Sequence, residues 1–444
     1  MALDELYPVP KEELEYTVGK AEKFFSLRNF FLIVDKILKC LENNVLKLFQ
    51  KRALKVAEKW TLDHQLDTGD CAGIFPAMAN TVLALYLLGY PLDSEPIQKG
   101  LAAIDRFQIM EGNTLRQQSC VSPVWDTAWV IYGLSTCGYT YQHPQVAKAM
   151  EWLFANQINI KGDWALKNPN TPPGGWAFQF HNDLNPDTDD TAVVLMALLS
   201  DNLKREDKRN EIRRAFYWLL TMQNLDGGWG AFERDNDYRI FNEIPFSESD
   251  NLIDPSTEDV TGRVLEAAGQ MGMDKNHPQI AAAIEYLKRV QDPRGSWYGR
   301  WGVNHIYGTW SVLCGLASVG EDMRAPYVRK AVEWLKSIQN KDGGFGESCR
   351  SYVDESWIGK GNSCASQTAW ALMALIAAGE ADSESAKKAV EYLLSTQKED
   401  GTWDEPEFTG TGFPQFFLIR YHMYRIYFPL LALARYVQAL KEKE

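Results

Sequence analysis

The sequence predicts an all-α fold, an (α/α)6 toroid preceded by a shorter helical portion. Three observations carry that prediction. A threonine followed by an apolar run of helical length recurs six times. Amphipathic segments that end in glutamine alternate with these runs. Each such glutamine leads into a glycine-rich turn that carries an aromatic residue.

The apolar runs begin at Thr81, Thr127, Thr191, Thr261, Thr309 and Thr368. They are apolar nearly all round, which belongs to helices buried on every side. The amphipathic segments end at Gln157, Gln223, Gln291, Gln339 and Gln397, followed by Trp164, Trp229, Trp297, Phe345 and Trp403. Each also carries an aromatic residue five positions before its glutamine: Trp152, Trp218, Tyr286, Trp334 and Tyr392. A weaker copy surrounds Gln65. Repeats of this length mean stacked supersecondary units. Alternating buried and amphipathic helices suggest two concentric rings, the buried one inside. YFPLLALARYVQAL near the C-terminus is a seventh inner candidate. The last six are expected to close the ring, giving a barrel over residues 110–444 and a helical N-terminal portion over 1–109.

Bulk properties narrow the function. With 444 residues, 15 Trp and a net charge of −13, the chain is globular and a poor partner for nucleic acid. Its seven cysteines form no CxxC pair and read as reduced, mostly buried thiols of an intracellular protein. The start is acidic and lacks the pattern of a signal peptide. Residues 30–49 place Phe30, Val34, Ile37, Leu38, Leu41, Val45, Leu48 and Phe49 on one helical face, with Lys36, Lys39 and Lys47 among the polar positions. Such a helix packs on a core or lies on a membrane.

One feature breaks the repeat. NPDTDDTAVVLMALL puts Asp187, Asp189 and Asp190 at the head of an inner helix, and none of the sister repeats does so. Capping explains one carboxylate at a helix start, as is expected for Asp126. It does not explain three. Carboxylates held close together cannot all ionise cheaply, so at least one should keep its proton and be able to act as a general acid. A hard metal ion would want more oxygen ligands than this loop offers, so no metal or other cofactor is expected. If the inner helices all start at the same end, the residues before each threonine ring one mouth: Trp125, Asp126, Asp189, Asp190, Asp259, Tyr307 and Gln367. The adjoining loops add Trp176, Phe178, Phe180, Phe232, Trp301, Phe413, Phe416, Phe417, Tyr421 and Tyr424. Aromatic faces attract cations. A strong acid in such a pocket suits protonation of an alkene and control of the carbocation that follows.

On these residues the chain resembles the squalene–hopene and oxidosqualene cyclases, the class II terpene cyclases. DTDD matches their DxDD acid motif, and the Gln-to-aromatic repeats match their QW motifs. SPVWDTA, GGWAFQF, LDGGWGAF, GSWYGRWGVNHIYGT and DEPEFTGTGFP match further family strings. The resemblance is continuous from about Leu115 onward and patchier before. It implies Asp189 as proton donor, polarised by Asp187 and Asp190, with Asp259 and Tyr307 as supporting acid and water-organising tyrosine. It implies that Trp125, Phe178, Phe232, Trp301, Phe413, Phe417 and Tyr421 shape the polyene or stabilise cations. It also implies a monotopic enzyme on the cytoplasmic side of a membrane, with a polyprenyl small-molecule substrate. Oligomeric state stays open, a homodimer included.

Two departures stand out. Arg263 occupies the position of a family histidine that bonds the acid; an always-charged guanidinium there is expected to pair with Asp187, Asp190 or Asp259, leaving Asp189 protonated. The chain also has room for only the tail of a second barrel, which resembles the monodomain class II cyclases of the merosterolic acid synthase type. That implies a polyprenylated aromatic acid as substrate, with squalene–hopene-type triterpene cyclisation as the alternative. Rival toroids fit less well. No DDxxD diphosphate motif occurs, the six His form no zinc set with Asp and Cys, and the polar loops of a sugar site are missing. A non-enzymatic binding toroid leaves the acid cluster unexplained.

Overall fold

The computed structural model describes residues 20–21, 23, 25–42, 47–200, 205–245 and 252–442. It divides into two compact units, residues 1–57 with 237–253 and residues 58–236 with 254–444.

In the first unit, α1 (Leu27–Glu42) packs against a short helical turn at Arg239–Glu243, and α2 (Lys47–Asp63) begins. Of the stretch 30–49, the structure describes α1 to Glu42 and α2 from Lys47, and Val45 lies outside the described residues. Phe30, Ile33, Ile37, Leu38 and Leu41 of α1 are exposed, Phe30, Ile33 and Ile37 by more than half (56%, 59% and 54%). Val34 is half-buried.

The second unit opens with a helical pair, α3 (Phe75–Leu87) and α4 (Glu95–Asp105), and a hairpin of β1 (Gln108–Glu111) and β2 (Thr114–Gln117). The toroid follows. Its inner helices are α5 (Pro123–Thr136), α7 (Thr188–Leu199), α9 (Glu258–Gln270), α11 (His305–Ser318), α13 (Ala365–Ala377) and α15 (Tyr424–Lys441). Each packs on the next, and α15 returns to α5, so the six expected inner helices close the ring. Outside them run α6 (Pro144–Ala155), α8 (Arg209–Thr221), α10 (Pro278–Val290), α12 (Pro326–Ser337) and α14 (Glu384–Thr396), five outer helices among the described residues. A second hairpin, β3 (Gly410–Phe413) with β4 (Phe417–Ile419), precedes α15.

The inner helices are apolar on every face because every face is covered. All side chains from Thr188 to Leu198 in α7 and from Ala365 to Leu375 in α13 are buried. At the α9–α11 seam the backbones nearly touch: a Cβ on Gly315 would lie 2.2 Å from the Gly262 carbonyl oxygen. Only glycine permits that approach.

The repeat residues tie these layers together. Four of the five glutamine amides donate to two carbonyls, one in the turn that follows and one in the first turn of the next outer helix; Gln397 donates to Gly401 of its turn alone. Gln223 bonds Gly227 and Gln279 (2.8 Å each), Gln291 bonds Gly295 and Tyr327, and Gln339 bonds Gly343 and Ser385. Gln65 bonds Pro96 in the same way, so the weaker copy is a true member of the series. The turn indole then reaches back to the preceding outer helix: Trp229 Nε1 donates to Leu219 O (2.9 Å), Trp297 to Leu287 O and Trp403 to Leu393 O (2.8 Å each).

One pairing differs from the sequence expectation. The partner of Gln157 is not Trp164 but Trp176, whose Nε1 donates to Leu153 O (2.6 Å), while Gln157 donates to Gly174 O (2.8 Å). Residues 158–173 form an insertion that carries a nearer tryptophan; Trp164 instead packs edge-on against Trp218. Trp176 is accordingly a structural tie, fully buried, and not a cavity residue.

The recurrent threonines complete the frame. Thr191, Thr261, Thr309 and Thr368 each accept, at 2.9–3.0 Å, the backbone N–H of a turn aromatic: Trp176, Trp229, Trp297 and Phe345 respectively. Thr261→Val should strand the buried Trp229 N–H without a partner and cost about 1–3 kcal/mol. The expected result is a lowered thermal melting midpoint, followed by circular dichroism.

Candidate active site

Asp187 is the N-cap of α7. Its Oδ1 accepts the backbone N–H of Asp189 (2.7 Å) and of Asp190 (3.3 Å), and its own N–H donates to Trp176 O. The carboxylate of Asp187 is thus turned back onto the helix end, where the dipole favours it. Asp189 and Asp190 stand in the first turn and are both buried. Asp190 Oδ1 is buried with no hydrogen-bond partner among the described residues.

Arg263 sits one turn into α9, fully buried. Its Nε lies 3.3 Å from Asp189 Oδ1 and its Nη2 donates to Tyr307 OH (3.2 Å). The guanidinium is flanked by indoles, 4.3 Å from the Trp310 centroid and 4.9 Å from that of Trp129. The expectation that Arg263 would avoid Asp189 is therefore corrected. The reason is local: Asp187 is committed to capping, and Asp259 is committed to backbone. Asp259 Oδ1 accepts from Val260 N–H and Oδ2 from Trp301 N–H (2.9 Å). Asp259 thereby positions Trp301.

Burial lifts the Asp189 carboxyl to about 7; Arg263 pulls against the rise and Asp259 adds to it. Asp187 and Asp190 are driven well above the usual carboxylate range by burial and by their acidic neighbours, Asp189 acting on Asp187 and Asp187 on Asp190. Burial is thus the main force that favours protonated carboxyls here, with acidic neighbours adding to it. Asp126, expected as a cap, is not one. Ser122 holds the N-cap position of α5, and Asp126 accepts from Ser122 Oγ (2.8 Å) and Tyr427 OH (3.0 Å).

The aromatic residues fall into connected sets. Trp125 Nε1 donates to Tyr424 OH (3.1 Å), Tyr424 stacks on Tyr421 at 4.3 Å, and Phe178 meets Tyr421 edge-on. Phe232 and Trp301 meet edge-to-face at 6.0 Å. Phe413 and Phe417 face each other across the β3–β4 hairpin, which is pinned by Thr411 N–H to Trp301 O and by Gly410 lying against the Tyr421 ring. Phe180 and Phe416, by contrast, are more than half exposed and belong to the outer surface.

Two features escaped sequence reasoning. Trp129, Trp310 and Trp370 form an aromatic layer with Tyr307 and Phe428 behind the acid, Trp310 and Trp370 stacked at 5.8 Å. The signal was present, a tryptophan one or two residues after the repeat threonine. Asp254 was missed as well; it accepts three backbone N–H groups, from Ala231, Phe232 and Glu233, and so fixes the Phe232 loop. Nothing marked it in sequence. The seven cysteines are all free thiols, but only Cys71, Cys314 and Cys364 are buried, so the set is less buried than expected; Cys120 and Cys349 are half-buried and Cys40 and Cys137 exposed. No group of three or more His, Cys, Asp or Glu suited to a metal occurs among the described residues.

The family model of the squalene–hopene cyclase C-terminal domain matches residues 121–438, and that of the N-terminal domain matches residues 1–113. The squalene–hopene cyclase of Alicyclobacillus acidocaldarius is 46% identical over 93% of the chain. This chain belongs to the squalene–hopene cyclase family. Dammaradiene synthase of Dryopteris crassirhizoma, another relative, is 41% identical over the whole chain and is covered over 68% of its own length. The chain spans 66% of the length of the Alicyclobacillus enzyme. Among solved structures, ent-copalyl diphosphate synthase from Streptomyces platensis shares the fold, with a TM-score of 0.53 and 20% identity over 82% of this chain and 59% of that one.

The raised Asp189 pKa fixes a sign for stability. The folded chain holds this proton to higher pH than the unfolded chain, so stability due to Asp189 declines as pH rises from about 4 to 7. Relative to Asp189→Asn, the wild type should lose roughly 1.4 kcal/mol per pH unit at most in that window. Paired thermal melts at pH 5 and pH 8 measure the difference.

Proposed function

We propose that the chain catalyses protonation-initiated cyclisation of an isoprenoid polyene, with Asp189 as the general acid. The observation that carries this reading is a buried carboxyl whose pKa is lifted to about 7, at the head of an inner helix whose neighbouring loops carry paired aromatic rings. Proton transfer to a terminal alkene creates a tertiary cation, and aromatic faces lower the energy of that cation and of its successors. Asp187 holds Asp189 through its backbone N–H, Arg263 fixes its oxygen, and Tyr307 accepts from Arg263 and holds that guanidinium in place. Trp125, Phe178, Phe232, Trp301, Phe413, Phe417 and Tyr421 supply the rings.

For substrate, the relatives' names favour a triterpene polyene such as squalene. A polyprenylated aromatic acid, the substrate implied by the monodomain resemblance, belongs in the same assay. Product analysis by mass spectrometry with squalene, farnesyl-hydroxybenzoate and geranylgeranyl-hydroxybenzoate separates the two. With the productive substrate, Asp189→Asn should lower turnover by about 10²–10⁴-fold, the usual range for a lost general acid. Wild-type activity should decline as pH rises through about 7, where Asp189 loses its proton. Turnover that is retained in Asp189→Asn would sink the acid assignment.

The proposal extends to location. The exposed apolar row of α1 supports docking on a membrane surface, and the free thiols support its cytoplasmic side. No helix among the described residues is long and apolar enough to cross a bilayer. Replacing Phe30, Ile37 and Leu41 together by Ser should reduce co-flotation with liposomes and leave far-ultraviolet circular dichroism intact.

A further inference from the structure

The contact between Arg263 and Asp189 raises a difficulty that the site alone does not resolve. A permanent cation 3.3 Å from the acid stabilises its ionised form and weakens it as a proton donor. The toroid carries a second carboxylate behind that cation. Glu266 stands one helical turn beyond Arg263 on α9 and is buried at 4% exposure. Its Oε1 accepts from Arg435 Nη2 of α15 at 2.6 Å. Arg435 also donates to Tyr132 OH of α5 (2.8 Å) and approaches Cys314 Sγ of α11 (3.5 Å), while Gln270, one further turn along α9, donates to Tyr132 OH. Four charges thus alternate through the barrel interior: Asp189, Arg263, Glu266, Arg435.

We infer that Glu266 is a positioning residue for the acid chemistry: its buried negative charge offsets Arg263, so that Asp189 can hold a proton beside a guanidinium. This rests on the reading of Asp189 as the acid. Glu266 touches no reacting atom; it acts through Arg263. Arg435 satisfies one Glu266 oxygen from the side of α15 and places a second cation farther off. The order of charges matters because interaction energy falls with distance. The near cation, the middle anion and the far cation act on Asp189 with alternating sign and decreasing strength.

Other titratable groups face this column from the packed elements, and their charges are common to every variant below. They are Asp187 and Asp190 from α7, Asp126 and Tyr132 from α5, Asp259 from α9, and Tyr307 and Cys314 from α11. Tyr421 stands just before α15 and Tyr424 starts it. α13 contributes Trp370 and has no titratable side chain.

The test compares the pH midpoint of cyclisation in the full chain for three variants. Glu266→Gln leaves both cations unopposed and should move the midpoint down by about one pH unit or more. Arg435→Gln removes only the far cation and should move it up. Glu266→Gln/Arg435→Gln should fall between the wild type and Glu266→Gln. A role in packing alone would reduce turnover or expression in all three without moving the midpoint in opposite directions. If Glu266→Gln fails to fold, Arg435→Gln and the double variant still fix the sign.

A substrate-free readout separates this inference from the function it rests on. The infrared carbonyl band of protonated Asp189, identified by its loss in Asp189→Asn, can be titrated directly. Displacement of that titration by Glu266→Gln and Arg435→Gln in opposite directions supports the inference even if no polyene is cyclised. An unmoved band, with active enzyme and an unmoved midpoint, overturns it and leaves the acid assignment standing.

Discussion

The arrangement depends on one repeated hydrogen bond, the threonine hydroxyl at the head of an inner helix accepting the backbone N–H of a turn aromatic. In four repeats it fixes the start of an inner helix to the turn that follows an outer helix. The indole or phenyl ring of that turn is buried, and where it is an indole its Nε1 is spent on the preceding outer helix. The glutamine amide then links the turn to the next outer helix. Each donor in this set is buried or half-buried, so losing one leaves an unsatisfied group and not merely a missing contact. The consequence reaches well beyond stability. Because four of the six inner helices begin at a tied turn, the residues flanking those starts are held in register around one end of the ring.

Upon that frame the acid cluster works as a local exception. Elsewhere the inner-helix starts carry fewer acids: Asp126 on α5, occupied by Ser122 and Tyr427, and Glu258 and Asp259 on α9, where Asp259 is taken by the backbone N–H groups of Val260 and Trp301. At α7 three carboxyls share one turn. One of them, Asp187, caps the helix and is turned back onto the helix end, while burial lifts all three. Burying a charge is costly unless it is paired, and a carboxyl can escape that cost by keeping its proton. General-acid chemistry exploits the same escape.

Arg263 sets a limit on that device and also tunes it. A pKa near 7 is the balance of burial and Asp259 against the guanidinium. Without Arg263 the carboxyl would hold its proton harder and release it less readily; with Arg263 unopposed it would ionise too early. The indoles of Trp129 and Trp310 flank the cation, and Tyr307 both holds it and closes the aromatic layer behind the acid. The same rings that suit a transient carbocation thus also house a permanent cation a few ångströms away.

Sequence alone determined the repeat, the six-membered inner ring, and the singular acid cluster, because periodic burial and a broken repeat are both written in residue order. The Gln–Trp pairing was legible where the turn followed directly and misread at Gln157, where an insertion supplied a nearer tryptophan than the true partner, Trp176. What only the tertiary structure decided is which carboxylate each group serves. Asp187, Asp189 and Asp190 are near-equivalent in sequence, and Asp259 and Asp126 look alike as helix-start acids. Their roles separate only when the backbone N–H groups of residues 189, 190 and 301 and the hydroxyls of Ser122 and Tyr427 claim some of them. Arg263, on a different helix, is left with Asp189. The bonds at Asp187 and Ser122 span two to four residues, whereas those from Trp301, Arg263 and Tyr427 span 42, 74 and 301 positions, and pairings that distant have no signature in local sequence.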